Sequence, residues 1–518
     1  MVTPETKKRI AKNTLALYIR MFFVMAVSLY TSRLVLHYLG EQDYGINNVV
    51  GGIVTMFAFL SNTLASASQR YFAFELGRGN MERLRKLFSL TIALYAIIVL
   101  VILTLSEVVG IWFINEKMTI PPDRLHAAHW VFQMSIITFC VSILSTPYQA
   151  IIIAQEKMQV YAYVGILEAI LQLAFILFLQ YGVDGVDGLI AYGATMLIYK
   201  VICQLIYVVY ARHKYMEVKL QFYWNKDLSM EMLSYSFWNL FGAFANVARS
   251  QGINMLVSAF FNPAVNAARG IAYSINTAIL SFSNNFFTAV KPQITKNYAV
   301  GNKKETLALV FRSSKMTFFL LSFIAIPMMV LMSEIMSIWL VDVPLYTALF
   351  ARIVVLINMF DALSMPIMTL MQATGRVKVY QIVTGGLILL NLPISWVLFR
   401  LGYPAVSTFF VAMVLSVMSM FSRIWVAKQY AQLPIIRYCT EVLFRITTVA
   451  LMSYAASVCT RWFFSDNMSI METCIALILS VFFSVIIIFA FGLTAAERNA
   501  VFTICRKHLK IITKKQPV

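Results

Sequence analysis

The sequence predicts an all-α polytopic membrane protein of about 14 spanning helices. They are arranged as two parallel six-helix repeats followed by two C-terminal helices. Three observations predict this: an apolar composition, a regular series of long apolar runs, and an internal repeat. Hydrophobic residues make up 60% of the 518 and charged residues 13%, about half the charge of an average soluble domain. So little charge would not cover a soluble surface, and the apolar content suffices for about 14 crossings. A soluble enzyme, a disordered chain and a disulfide-stapled secreted module are thereby excluded.

The apolar runs span 13–39, 44–76, 87–114, 129–155, 159–181 and 186–210, and then 232–260, 264–297, 306–340, 346–374, 379–400 and 404–428. Two more follow at 441–463 and 470–492. They divide the chain into an N-lobe (1–211), a charged linker (212–231), a C-lobe (232–430), a helix pair (431–495) and a basic tail (496–518). With the N-terminus inside, cytoplasmic segments carry about 26 Lys and Arg and outer loops about 4, which sets both termini in the cytoplasm. The formal net charge of +19 then reads as membrane topology, not nucleic-acid binding. Thr3–Lys12 is polar and basic and the apolar run behind it is long, so no cleavable signal peptide is expected. The six cysteines and five histidines are scattered without metal-ligand spacing. No metal and no cofactor is expected.

The repeat emerges when the chain is laid on itself. At an offset of about 222 residues, Phe22 meets Phe244, Asn62 meets Asn284 and Gly79-Asn80 meets Gly301-Asn302. At about 219, Pro147 meets Pro366 and Val160-Tyr161 meets Val379-Tyr380. An even number of helices per unit makes the two copies parallel, related by an axis along the membrane normal. No GxxxxGK[ST] phosphate loop is present. Two such lobes fit a secondary transporter and not an ATP-driven pump or an enzyme.

Polar residues inside the spans are the candidate functional groups, because each is costly in hydrocarbon. On the second run, Asn48, Gly52, Thr55, Asn62, Ser66, Gln69 and Arg70 fall within about 60° of a common direction. On the eighth, Arg269, Tyr273, Asn276, Ser283, Asn284 and Lys291 share a face, and on the seventh Asn239, Asn246, Arg249 and Ser250 do. Such stripes either hydrogen-bond to other helices or face a water-filled cavity. The first, second, seventh and eighth runs hold Arg20, Arg33, Arg70, Arg249, Arg269 and Lys291 against a single acid, Glu75. Arg33, Arg70, Arg269 and Lys291 lie near span ends, where long side chains reach water. Arg249 lies about 15 Å from the nearer helix end. Cations without acids suggest an anionic ligand, and pyrophosphate suits Arg. Glu168 and Asp361 are the deep acids, read as sites for a coupling H⁺ or Na⁺ or as structural carboxyls. For Asp361 the structural reading pairs it with Arg352.

The first run ends in Leu39-Gly40 and leads into Asp43-Tyr44-Gly45-Ile46. A polar-striped helix from Asn47 to Leu76 follows, closed by Gly77-Arg78-Gly79-Asn80. This resembles the Wzx-type oligosaccharide and O-antigen flippases, polysaccharide-biosynthesis members of the MOP exporter superfamily that also holds the MATE transporters. The resemblance implies two lobes in a V around a cationic central cavity. It implies alternating access and movement of polyprenyl-pyrophosphate-linked oligosaccharide from the cytoplasmic to the periplasmic leaflet of a bacterial inner membrane. Arg20, Arg70, Arg249, Arg269 and Lys291 would hold pyrophosphate or acidic sugar, and Asn62, Asn276 and Asn284 would bond the glycan. The implied partners are the lipid-linked oligosaccharide, a coupling H⁺ or Na⁺, membrane lipids and other polysaccharide-assembly proteins. The last two helices would form a groove for the lipid tail. The alternatives are a MATE-like multidrug/cation antiporter, a lipid II-type flippase and, from another class, a lipid-modifying membrane enzyme.

Overall fold

The computed structural model describes residues 4–55, 58–116, 120–182, 187–261, 263–340, 343–465, 468–495 and 497–499. Most of the basic tail lies outside them, as do the side chains of Asn48, Gly52 and Thr55. The described residues are helical, with no strand. In chain order the helices are α1 (Pro4–Thr55), α2 (Ala58–Arg78), α3 (Met81–Leu105), α4 (Leu125–Ala154), α5 (Met158–Gly182) and α6 (Gly188–Lys214). Then come α7 (Lys226–Phe260), α8 (Pro263–Ala299), α9 (Lys303–Val330), α10 (Thr347–Thr374), α11 (Val377–Leu389, resuming at Asn391–Arg400) and α12 (Val406–Ala431). The last pair is α13 (Phe444–Trp462) and α14 (Ile470–Ile487). Short helical segments extend α3, α9, α13 and α14. Within α1 the chain breaks at Gly40 (φ 71, ψ 173), a left-handed position that glycine adopts without a Cβ clash. The second crossing therefore begins inside α1.

Among the described residues, 11 helices are long and apolar enough to cross a membrane. The long helices that miss this measure are α2 with the end of α1 before it, α7 and α8. These are the three segments that carry the polar stripes. At 35 and 37 residues, α7 and α8 exceed the about 20 residues needed to span. Polarity, not length, sets them apart.

The repeat is visible in the turns. Gly79 (φ 71) and Gly301 (φ 75) both adopt the left-handed conformation. Each donates its N–H back into the preceding helix, to Leu76 at 3.2 Å and to Tyr298 at 3.0 Å. The following asparagine then caps the next helix: Asn80 Oδ1 accepts from the Arg83 amide at 3.0 Å, and Asn302 Oδ1 from the Glu305 amide at 3.2 Å. A left-handed glycine and an Asn cap end one helix and start the next. Pro147 and Pro366 sit inside α4 and α10.

The chain forms two compact units. The first comprises 1–244, 288–306 and 372–382, and the second 245–287, 307–371 and 383–518. The first unit joins α1–α6 to one end of α7, one end of α8 and the turn between α10 and α11. Its core is apolar, with Phe72, Phe88 and Phe132 fully buried. A polar cluster closes one side: Arg124 bridges Asp43 and Asp187, and Asp187 caps α6. That gives Asp43, next to the Gly40 break, a structural role. In the second unit Lys315 and Glu497 form a buried pair at 3.0 Å, and Arg461 meets Glu334 at 2.6 Å. Burial opposes the charge of Glu497, but the Thr494 amide and Lys315 hold its carboxyl below the usual range.

Two turns in the first unit are gripped reciprocally. Each follows the fourth helix of its repeat, and each has a left-handed residue, Glu156 (φ 62) or Gly375 (φ 78). The Glu156 side chain is 2% exposed and accepts from Lys296 Nζ of α8 at 2.6 Å. It also accepts from Gln293 of α8, and its carbonyl accepts from Asn13 Nδ2 at 2.9 Å. Conversely, Arg70 of α2 donates from Nε to the Gln372 carbonyl at 3.1 Å and from Nη2 to the Ala373 carbonyl at 3.3 Å. Those carbonyls belong to the last turn of α10, where the Gln372 carbonyl also accepts from the Gly375 amide at 3.1 Å. Each repeat's turn is thus held by the second helix of the other repeat. The two helices approach closely at Gly77, where a Cβ would stand 2.7 Å from the Lys296 carbonyl.

Lys296→Ala would remove a charged donor from the buried Glu156 carboxylate. A buried charge stripped of its partner costs about 3–5 kcal/mol. The expected result is a lower thermal unfolding midpoint for the purified protein, partly restored by adding Glu156→Gln. An unchanged midpoint in Lys296→Ala would show that the grip contributes nothing.

Candidate functional site

A polar side chain at membrane depth either bonds to protein or faces water. The stripes of α2, α7 and α8 divide along that line. One set is inward and bonded. Asn239 is buried, and its Oδ1 accepts from Gln381 Nε2 at 3.1 Å. Asn276 is buried and accepts from Asn358 of α10. Lys291 Nζ donates to Ser66 Oγ at 2.7 Å, joining the two stripes that the repeat relates. Others are exposed, whatever bonds they make: Asn62 in the first unit, and Asn246, Asn284 and Thr277 in the second, the last donating to the Tyr273 carbonyl at 2.9 Å.

Arg20 occupies a slot between α1 and α5. Its guanidinium lies 4.6 Å from the centre of the Tyr161 ring, a cation–π arrangement. Its Nε is buried without a hydrogen-bond partner. The slot exists because residue 165 is glycine: a Cβ there would stand 2.1 Å from Arg20 Nε. Arg70 is buried by Tyr71, Phe74 and Tyr235 around its guanidinium while it grips the α10 turn.

In the second unit Arg269 donates to Asn254 Oδ1 at 3.1 Å and to the Ser250 carbonyl at 2.7 Å. It also stacks on Tyr273 at 4.7 Å. Arg249 lies one residue before Ser250, close enough to Arg269 for the two charges to interact. Arg249 is half-buried, and among the described residues it makes no hydrogen bond and no ion pair.

The five expected cations share one property. Arg20, Arg70, Arg249, Arg269 and Lys291 meet rings, carbonyls, an amide, a hydroxyl or each other. Among the described residues none of them pairs with a carboxylate, although ten other pairs are present. The partners of Arg20, Arg70, Arg269 and Lys291 orient them without neutralising them. Desolvated donors whose charge is not compensated are suited to hold an anion such as pyrophosphate.

The two deep acids differ from the cations, for both are paired. Glu168 of α5 accepts from Lys200 of α6. Asp361 of α10 lies 3.7 Å from Arg423 of α12 and accepts from Ser416 Oγ at 3.1 Å. The expected partner Arg352 instead donates to the Met329 carbonyl at 3.0 Å and to Ser333. The reason is angular: nine residues along one helix put Arg352 and Asp361 about 180° apart. Sequence reasoning also missed Glu156, Lys200, Lys296 and Arg423. For Glu156 a signal existed, since the offset that aligns the prolines places it opposite Gly375.

No protein-family model and no curated protein matches the chain. Solved structures do match in fold. One is described as the outward-facing conformation of a multidrug resistance MATE family transporter of the MOP superfamily, with TM-score 0.70, 10% identity, 84% of this chain and 99% of that chain covered. A second, a MOP superfamily transporter from Pyrococcus furiosus whose binding pocket is described as reversed in polarity, matches with TM-score 0.69, 11% identity and the same coverage. A third, a mutant form of the Vibrio cholerae MATE transporter VcmN, matches with TM-score 0.66, 15% identity, 82% of this chain and 97% of that chain covered. The chain therefore has the transporter fold of the MATE proteins of the MOP superfamily, in a multi-pass membrane protein.

Proposed function

We propose that the chain is a flippase for polyprenyl-pyrophosphate-linked oligosaccharide, an O-antigen, capsule or exopolysaccharide repeat unit. It works in a bacterial inner membrane, with both termini in the cytoplasm, and moves its substrate to the periplasmic leaflet by alternating access. The observation that carries this reading is Arg249: a half-buried guanidinium inside α7, without a counter-ion among the described residues and beside a second arginine. Pyrophosphate supplies the missing charge, with Arg249 and the oriented Arg269 as its first donors. Asn62 and Asn284 are exposed to bond sugar hydroxyls, and Arg20 offers a further cation. Arg70, Lys291 and Asn276 are bonded to protein here and would meet substrate after those bonds exchange. The reciprocal grip on the two turns supports alternating access, because it is a set of polar bonds that can break and reform. Asp361 and Glu168 are the candidates for the coupling ion. The α13–α14 pair is the proposed support for the lipid tail.

The multidrug reading draws on what the MATE neighbours are described as doing. Five cations with no paired carboxylate oppose it, since a cationic drug would be repelled where an anion is attracted. A lipid II-type substrate shares the pyrophosphate and would be told apart by its glycan.

The decisive experiment is mass spectrometry of polyprenyl-linked glycans in cells with and without the gene, in a background lacking other flippases. Accumulation of a complete, unpolymerised lipid-linked oligosaccharide is expected, and normal glycan levels would refute the flippase reading. In purified protein, Arg249→Ala should leave the unfolding midpoint unchanged, because Arg249 holds nothing in place. The same change should weaken binding of a pyrophosphate-linked lipid about tenfold or more, the loss of one charged hydrogen bond of about 1.5–3 kcal/mol. Equal loss of stability and binding would make Arg249 structural. Gly165→Ala should displace Arg20 from Tyr161 at a cost of about 1–3 kcal/mol and reproduce the transport defect of Arg20→Ala. Normal transport with a normal midpoint in Gly165→Ala would remove Arg20 from the site.

A further inference from the structure

Between the end of α6 at Lys214 and the start of α7 at Lys226 the chain passes from one repeat to the other. Apart from a short turn at Met216–Val218 this stretch is irregular. One side of it is pinned to the first unit. Tyr215 and Val218 are buried in the same core as Leu84 and Leu87 of α3. Arg85 of α3 donates from Nε to the Lys219 carbonyl at 3.2 Å, and the Gln221 amide donates to Ser89 Oγ at 3.1 Å. Glu217 accepts from Gln155 Nε2 at 3.0 Å, and Asn225 caps α7 by accepting from the Leu228 amide at 2.9 Å. The stretch is thus a fixed strap with an inner and an outer side.

The outer side is apolar. Leu220, Phe222 and Trp224 are exposed, while Gln221, Tyr223 and Asn225 between and after them are half-buried, the alternation of an extended chain. Phe222 is fully exposed, Trp224 53% and the nearby Met216 80%. A spanning helix can show such side chains to lipid because it pairs its own backbone. This stretch does not: among the described residues, the amides and carbonyls of Leu220, Phe222 and Trp224 make no hydrogen bond. Unpaired backbone is excluded from hydrocarbon, and bare apolar side chains are unfavourable in water. Both conditions are met at one depth, the headgroup layer, where aromatic side chains concentrate. Lys214, Lys219 and Lys226 are exposed around this face. None of them enters an ion pair among the described residues. The acids of the stretch are Glu217, turned to Gln155, and the exposed Asp227.

We propose that residues 214–226 form a lipid-binding strap for an anionic membrane surface. Leu220, Phe222 and Trp224 enter the headgroup layer of the leaflet at which α6 ends and α7 begins, and Lys214, Lys219 and Lys226 meet the phosphates of anionic phospholipid there. Such a strap is independent of the cargo and goes beyond the proposed function. With both termini in the cytoplasm, as proposed, the leaflet is the cytoplasmic one. The occupant is lipid because exposed apolar side chains run on from the strap along both helices, with Leu205 and Val209 on α6 and Met230 and Phe237 on α7. The free lysines complement phosphate, which a neutral protein surface would not offer. The strap is the covalent join between the repeats, so anionic lipid on its outer side fastens that join to the membrane while α3 holds its inner side.

The test places a photoreactive phenylalanine, benzoylphenylalanine, at position 222 of the full chain. The protein is reconstituted in vesicles of phosphatidylglycerol and phosphatidylcholine in equal amounts, and mass spectrometry identifies what the activated ring joins. Lipid adducts are expected, with phosphatidylglycerol favoured about fivefold over phosphatidylcholine, the attraction of about one basic residue at the surface. Lys214→Gln, Lys219→Gln and Lys226→Gln together should bring the two lipids to parity. If that exchange lowers the yield of folded protein, Lys219→Gln alone, which keeps the backbone grip of Arg85, should lower the preference. The same probe in place of Tyr223, on the inner side, is expected to join α3 and not lipid. Absence of lipid adducts at position 222 overturns the proposal, because the ring would then stand in water. Adducts to a second copy or to another protein overturn it by naming a protein occupant. Equal capture of the two lipids by the chain with all its lysines overturns it as well, as does a phosphatidylglycerol preference that survives their loss.

Discussion

Hydrocarbon offers no hydrogen bonds, and that constraint shapes this molecule. Each polar group at depth must find a partner in the protein or open onto water. Most here find partners. Asn239, Asn276 and Lys291 bond across helices, Arg70 takes the last carbonyls of α10, and the deep acids are paired with Lys200 and Arg423. What remains is selective: cations held by neutral groups, and Arg249 held by none. A structure built only for stability would have neutralised them. Charge is left over at Arg20 of α1 and on the three helices whose polarity keeps them from reading as ordinary spanning segments.

Much of the fold was legible because it is written locally. The Gly-Asn pairs at 79–80 and 301–302 announce the same turn twice, since a left-handed glycine and an asparagine cap are properties of adjacent residues. The polar character of α2, α7 and α8 was equally plain from periodicity. The contacts of the site were less legible because they join distant positions. Nothing near Glu156 points to Lys296, and nothing near Asp361 points to Arg423. The expectation of Arg352 failed on a point the sequence does contain, the half-turn that separates it from Asp361. Periodicity alone does not say which stripe residue is buried against a neighbouring helix: Asn276 and Asn284 lie on one face, the first buried and the second exposed.

The repeat also gives the molecule an internal control that single-copy folds lack. Where both copies solve a packing problem alike, as at the Gly-Asn turns, the solution belongs to the fold. Where they differ, as at the two gripped turns, the difference is free to serve function. One turn contributes a carboxylate to a lysine, and the other contributes backbone carbonyls to an arginine.

That reciprocal grip has an evolutionary consequence. After duplication, two copies of a gene segment are ordinarily free to drift apart. Here each half is held by residues encoded in the other, so a substitution at Glu156 is felt at Lys296, and one at the α10 turn is felt at Arg70. The halves are bound to change in step, and a segment transplanted from a distant relative would bring only one side of each grip. Chimaeras cut between the repeats should therefore fail more often than their individual helices would suggest, even where every helix is compatible with the membrane.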